Sequence, residues 1–198
     1  MLLIKLHHIR NFSINSYRTT SYTARLTNKI HYYSTKSFSR NNPYEFQLIL
    51  RESKDGFAPR TFWNICHGHT STIVITKVKG MNEIIGGFNP LAWDKTKDDW
   101  IKTNKSFIFS FKNVNIQNSI LSRVQGENCA LRYFHQKDKD GPIFGYHEFT
   151  MSSDVSYFTH DERSWYGSNH NYKKPIRTTM AYFSIIDYEV FKVVKKSI

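Results

Sequence analysis

Residues 106–112 alternate strictly, with Phe107, Phe109 and Phe111 on one face and Ser106, Ile108 and Ser110 on the other. A period of two is the mark of a strand and cannot be satisfied by a helix. The segment 46–51 (Phe-Gln-Leu-Ile-Leu-Arg) reads as a strand too, as do the β-branched stretch 71–79, residues 83–89 and residues 117–124. Lys54-Asp-Gly56 and Gly80-Met-Asn82 are turn signals between these segments, and Gly56 can take positive φ without a Cβ clash. Asn113-Val-Asn115 reads as the hinge between the strands at 106–112 and 117–124, and residues 183–194 supply one or two closing strands. Residues 58–66 read as a short helix. Pro59 falls in its first turn, Phe62, Trp63 and Cys66 share a buried face, and His67-Gly68 ends it. Residues 94–105 read as a surface loop, and residues 136–174 carry few periodic signals. Many short strands, few helices and no βαβ rhythm predict a mostly β (α+β) chain built from packed antiparallel sheets.

Fifteen Phe, twelve Tyr and four Trp agree with that class, because large stiff side chains favour pleated, half-buried surfaces. No apolar run approaches the roughly 18 residues that span a bilayer. Two cysteines, Cys66 and Cys129, make no disulfide framework and read as buried free thiols of a reducing compartment.

The net charge of +12 is unevenly distributed. Residues 1–44 hold seven Lys and Arg and no acid, so the rest of the chain is only at +5. Interspersed signs at that level describe an ordinary soluble surface, and no recognition helix, zinc-finger spacing or ribonucleoprotein aromatic motif accompanies them. Nucleic acid is therefore not the expected partner. Residues 1–42 form a basic tail rich in Ser and Arg, and the folded domain is expected over 43–198. An acid-free, Arg- and Ser-rich start with Leu2, Leu3, Leu6 and Ile9 on one helical face reads as a mitochondrial presequence. A polar extension is the alternative, since His31 stands where an arginine usually precedes the cleavage site.

Catalytic signals are sparse. Asp55 on its glycine turn reads as a cap for the next helix or as closing its own turn. Gly86-Gly87 lacks the spacing of a phosphate loop and reads as a bulge or a close approach of two backbones. Glu83 opens an otherwise apolar strand. Buried, it would titrate high enough to act as an acid or base; beside the turn, the favoured reading is the solvent-exposed face. Cys66, His67 and His69 are too close in sequence to converge on a tetrahedral zinc, and Cys66 follows an apolar helical face, which suits an inert thiol. His160, Asp161 and Ser164 have the composition of a hydrolytic triad, but triad members come from separate elements. No catalytic, cofactor or metal residues are assigned.

Taken in order, the blocks at 48–53, Asp55-Gly-Phe57, Phe62, the strand at 73–78, Gly86-Gly87-Phe88, Trp93, 106–111 with Phe107 and Phe109, Phe144-Gly145 and Glu189-Val-Phe191 resemble a TLDc domain, the module of the oxidation-resistance family. The similarity runs from Tyr44 to Val194 and looks especially like fungal members in which the domain follows BTB and kelch units. It implies a two-sheet antiparallel β-sandwich edged by a few short helices. It also implies a role in oxidative-stress protection and, for several members, regulation of the vacuolar proton-pumping ATPase, with no accepted catalytic mechanism. Asp55, Gly56, Phe57, Gly86, Gly87, Trp93, Phe107, Phe109 and Gly145 carry over as signature positions, expected to be architectural. One departure is the reduction of the usual glycine-rich run to Gly141, Gly145 and Gly167. The expected function is thus a non-enzymatic interaction module. The alternatives are a redox or hydrolytic enzyme using Glu83 or Cys66, and a scaffold fragment of a BTB/kelch protein. Import into mitochondria competes with contact at the cytoplasmic face of acidic organelles, where the pump is reached.

Overall fold

The computed structural model describes residues 43–112 and 119–196. The basic tail, the expected hinge at Asn113-Val-Asn115 and the first two residues of the strand expected at 117–124 lie outside the described residues. Phe46–Val193 form one compact unit. A second unit contributes, among the described residues, 43–45 and 194–196, where Lys196 N–H donates to the Pro43 carbonyl at 2.9 Å.

The described elements are β1 (Tyr44–Arg51), α1 (Glu52–Asp55), α2 (Pro59–Cys66), β2 (Thr72–Val78), β3 (Glu83–Asn89), β4 (Asp99–Ile101), β5 (Phe107–Lys112), β6 (Ile120–Arg123), a 3₁₀ turn (Glu127–Cys129), β7 (Leu131–Tyr133), β8 (Asp140–Phe144), β9 (Phe149–Ser152), β10 (Ser164–Tyr166), β11 (Ala181–Phe183) and β12 (Ile185–Lys195). They make two six-stranded antiparallel sheets, ordered β1-β12-β2-β3-β5-β6 and β11-β10-β9-β8-β7-β4. The fold is a β-sandwich with two short helices among the described residues. A single residue, Ser184, separates β11 of one sheet from β12 of the other. Its Oγ donates to the Asp161 carbonyl at 2.7 Å and its own carbonyl accepts from Lys79 N–H at 2.9 Å, which pins the corner where the chain changes sheets.

The core lies between the sheets. Val74, Val78, Ile85 and Ile108 come from one sheet, Leu131, Phe144, Phe149 and Met151 from the other, and Phe62, Trp63 and Cys66 from α2. The two buried indoles satisfy their N–H groups, Trp63 on the Asp140 carbonyl at 2.6 Å and Trp93 on Thr72 Oγ1 at 2.7 Å. Trp93 stacks edge-on to Phe62 and Trp63 at 5.0 and 5.8 Å between centroids, so the helix is held to the sandwich by aromatic contact. The alternation in β5 is present, with a difference. Ile108 faces the inter-sheet core, and Phe107, Phe109 and Phe111 are buried on the opposite face, where Phe88 stacks on Phe107 at 5.0 Å.

Three local expectations change. The surface loop at 94–105 contains β4, which pairs with β7. The weakly periodic stretch 136–174 contains β8, β9 and β10, too short to show a period in sequence. Residues 52–55 form a helical turn, α1, ahead of Gly56, whose φ of 106° ends it.

Candidate functional site

Glu83 is the first residue of β3, directly after the Gly80–Asn82 turn, and its register partner on β5 is Lys112. The solvent-exposed position expected for it is wrong. Glu83 is 5 % exposed, because the connection between β10 and β11 brings Arg177 over it. Ser110 Oγ on β5 donates to the Ile176 carbonyl at 2.6 Å and fixes that connection. Arg177, 6 % exposed, then places Nε 3.0 Å from Glu83 Oε2. Its guanidinium lies 4.9 Å from the centre of the Phe183 ring, and its Nη2 donates to Met81 Sδ at 3.4 Å. Glu83 Oε1 and Arg177 Nη1 are buried and have no hydrogen-bond partner among the described residues. The pair lines a pocket of about 350 Å³ together with Met81, Asn82, Lys112, Thr178 and Thr179.

The signature residues sit elsewhere. Asp55 Oδ2 accepts from the Arg51 backbone N–H at 2.9 Å, so it closes its own turn, and Ala58, the N-cap residue of α2, leaves that helix without a side-chain cap. Phe57 contacts the Tyr157 ring at 5.4 Å. Gly86 and Gly87 lie in unbroken register with β2 and β5, and no bulge is present. A Cβ on Gly86 would come 2.2 Å from the Val74 carbonyl oxygen and 2.5 Å from the Phe109 ring; one on Gly87 would come 2.5 Å from the Phe144 ring. Gly145 has φ 63°, and a Cβ there would meet Glu148 Oε2 at 2.0 Å. Glu148 in turn accepts from the Asn171 backbone N–H at 2.5 Å, which ties the turn before β9 to the connection after β10.

Cys66 is fully buried at the end of α2, and burial pushes its thiol far above the ordinary range. His67 Nδ1 accepts from Lys95 N–H at 3.2 Å. Among the described residues no group of three His, Cys, Asp or Glu could hold a metal ion. The residues with triad composition are engaged separately. His160 stacks on Tyr157 at 4.1 Å, Asp161 Oδ2 accepts from Ser153 Oγ and the Asp154 N–H, and Ser164 Oγ donates to the Ser152 carbonyl.

The family model for the TLDc domain matches residues 19–194. The chain belongs to the TLDc domain family. No curated protein shows a significant match to it. The family match starts inside the basic segment, upstream of the Tyr44 at which the resemblance in sequence begins.

This TLDc domain carries a second titratable cluster that the sequence reading missed. Glu52 of α1 is 5 % exposed, and Asp187 and Glu189 of β12 are 4 % and 3 % exposed. Burial, then the hydrogen bond that Glu52 donates to Asp187 and the repulsion between the two carboxyls, raise the Glu52 carboxyl to about 9, so at neutral pH it is the protonated partner of that pair. Glu189 Oε1 accepts from Arg51 Nε at 2.7 Å, and burial nonetheless raises its carboxyl. A register shift between Ile185 and Asp187 turns both acids to the same side of β12, away from the core residues Tyr188 and Val190. The one sequence signal was two acids at i and i+2 in β12; their burial depends on α1 and Arg51. Arg177 had no signal at all, being one of several bases in an irregular segment.

Proposed function

We propose that the protein is a non-catalytic TLDc interaction module that acts in protection against oxidative stress, with the vacuolar proton-pumping ATPase as its partner. Family membership over 19–194 carries the reading. Two features of the chain support the non-catalytic part. The Cys66 thiol is fully buried, and burial disfavours its nucleophilic thiolate. Glu83, the other residue on which an enzymatic alternative would rest, is buried and already engaged at 3.0 Å by the Arg177 guanidinium.

Cells lacking the protein and complemented with the full chain should regain survival under peroxide, and Cys66→Ala should do the same. Loss of protection by a folded Cys66→Ala protein would favour the redox alternative. The full chain should also co-sediment with vacuolar membranes through the pump's cytoplasmic sector. Membranes stripped of that sector should not retain it, and equal retention would remove the pump as partner.

We propose a mitochondrial location for the case in which residues 1–42 are cleaved as a presequence. This competes with the pump, because a matrix protein cannot touch the cytoplasmic sector. A C-terminally tagged protein whose mature end lies within the first 42 residues or just beyond, found in mitochondria, would favour import; an intact vacuole-associated chain would favour the pump.

A further inference from the structure

The Glu83–Arg177 pair is unusual for what it leaves over. Burying two charges in contact gains little over apolar packing, so a buried pair is weak evidence of a stabilising role. Here each partner also keeps one polar atom, Glu83 Oε1 and Arg177 Nη1, buried without a hydrogen-bond partner among the described residues. Such atoms are few in folded proteins, and each calls for a water, an ion or a ligand group to complete it. Both side chains are more than nine-tenths buried and both line the same pocket.

The chemistry of the lining selects the ligand. Lys112 and Arg177 bring two cations against the single carboxylate of Glu83, so the pocket favours one negative charge. The planar guanidinium fork and an ammonium match the two oxygens of a carboxylate, and Thr178 and Thr179 add hydroxyl donors. A phosphate dianion fits less well, since its extra charge faces Glu83. We propose that this pocket binds a carboxylate, seated between the Arg177 guanidinium and the Lys112 ammonium. The carboxylate belongs either to a free small acid or to an acidic side chain of a protein partner. Only the second source rests on the interaction-module reading.

The test is a titration of the full chain, followed by NMR of its arginine Nε–H and lysine side-chain signals at fixed ionic strength. Glutarate, an acetylated and amidated Gly-Glu-Gly tripeptide, and inorganic phosphate are the probes. Glutarate should saturate and shift the Arg177 signal. Lys112→Gln should weaken binding about two- to fivefold, the range of a part-exposed ion pair. Glu83→Gln should tighten it by a similar factor, because it removes the competing charge while keeping an acceptor for Arg177 Nε. A merely structural pair would not give tightening. Tripeptide binding with the same response to both variants would assign the carboxylate to a protein partner; glutarate binding alone would assign it to a free acid. Several results overturn the proposal: no saturation by either carboxylate into the tens of millimolar, phosphate binding more tightly than glutarate, or affinities indifferent to both variants. None of these touches the interaction-module reading, which membrane co-sedimentation tests separately.

Discussion

Gly87 of β3 faces Phe144 of β8 so closely that a Cβ on the glycine would stand 2.5 Å from the ring. That contact between the sheets explains why a residue without a side chain occupies an otherwise apolar strand. Gly86, one residue earlier, faces the other way, and a Cβ there would meet the Val74 carbonyl oxygen at 2.2 Å and the Phe109 ring at 2.5 Å. A ring can tilt; a ladder carbonyl cannot move without breaking register.

Alanine at these two positions should therefore separate. Gly87→Ala should destabilise by about 1–3 kcal/mol, the usual cost of forcing one extra carbon into a packed core. Gly86→Ala should cost more, because the obstructing atom is backbone. Urea unfolding of both variants against the parent measures the order, and the reverse order would show that Phe144 is the more rigid neighbour.

The ion pair of the pocket gives a second test. Arg177→Met leaves Glu83 buried without its cation, and should cost about 3–5 kcal/mol. Glu83→Leu combined with Arg177→Met removes both charges and should recover most of that loss. A double variant as unstable as Arg177→Met alone would mean that the guanidinium acts mainly through the Phe183 ring and Met81, and not through Glu83.

How far these features were legible in the chain differs from residue to residue. The strands at 46–51, 71–79, 83–89 and 106–112 and the helix at 58–66 were readable because their periods are local and their turns carry Gly or Pro. A bulge or a close approach of two backbones was the expectation at Gly86-Gly87; Gly86 does meet the Val74 carbonyl, whereas Gly87 meets the Phe144 ring, a neighbour that only the packing of one sheet on the other supplies. Glu83 was misplaced for the same reason. Its neighbours in sequence put it beside a turn, while its burial is decided by Arg177, contributed by the long connection before β11. Asp187 and Glu189 resemble a solvent face by their spacing, yet the helical turn α1 and Arg51 cover them. Charge burial is a property of tertiary contacts, and no sequence period reports it.

Glu52 should make stability depend on pH. Its carboxyl, ordinarily near 4.5, is raised to about 9 in the fold. Between those values the folded chain holds a proton that the unfolded chain has lost, so this contribution is fullest below about pH 4.5 and declines as pH rises towards 9. Glu52→Gln keeps a neutral group beside Asp187 and removes that slope. The variant should melt at a higher temperature than the parent at pH 8, with the difference shrinking towards pH 5. Parallel melting curves for the two proteins across this range would show that Glu52 is not the proton holder of the pair.

The two cysteines should differ sharply in reactivity. Cys66 is fully buried in the core beside Phe62 and Trp63, and its burial suppresses the thiolate that reacts. Cys129, at the end of the 3₁₀ turn, is only half-buried. A disulfide reagent added to the native full chain should therefore label Cys129 alone, and Cys66 should react only once denaturant opens the sandwich. Peptide mapping assigns the label. Prompt labelling of Cys66 under native conditions would mean that α2 opens readily from the sheets, and it would return Cys66 to consideration as a redox group.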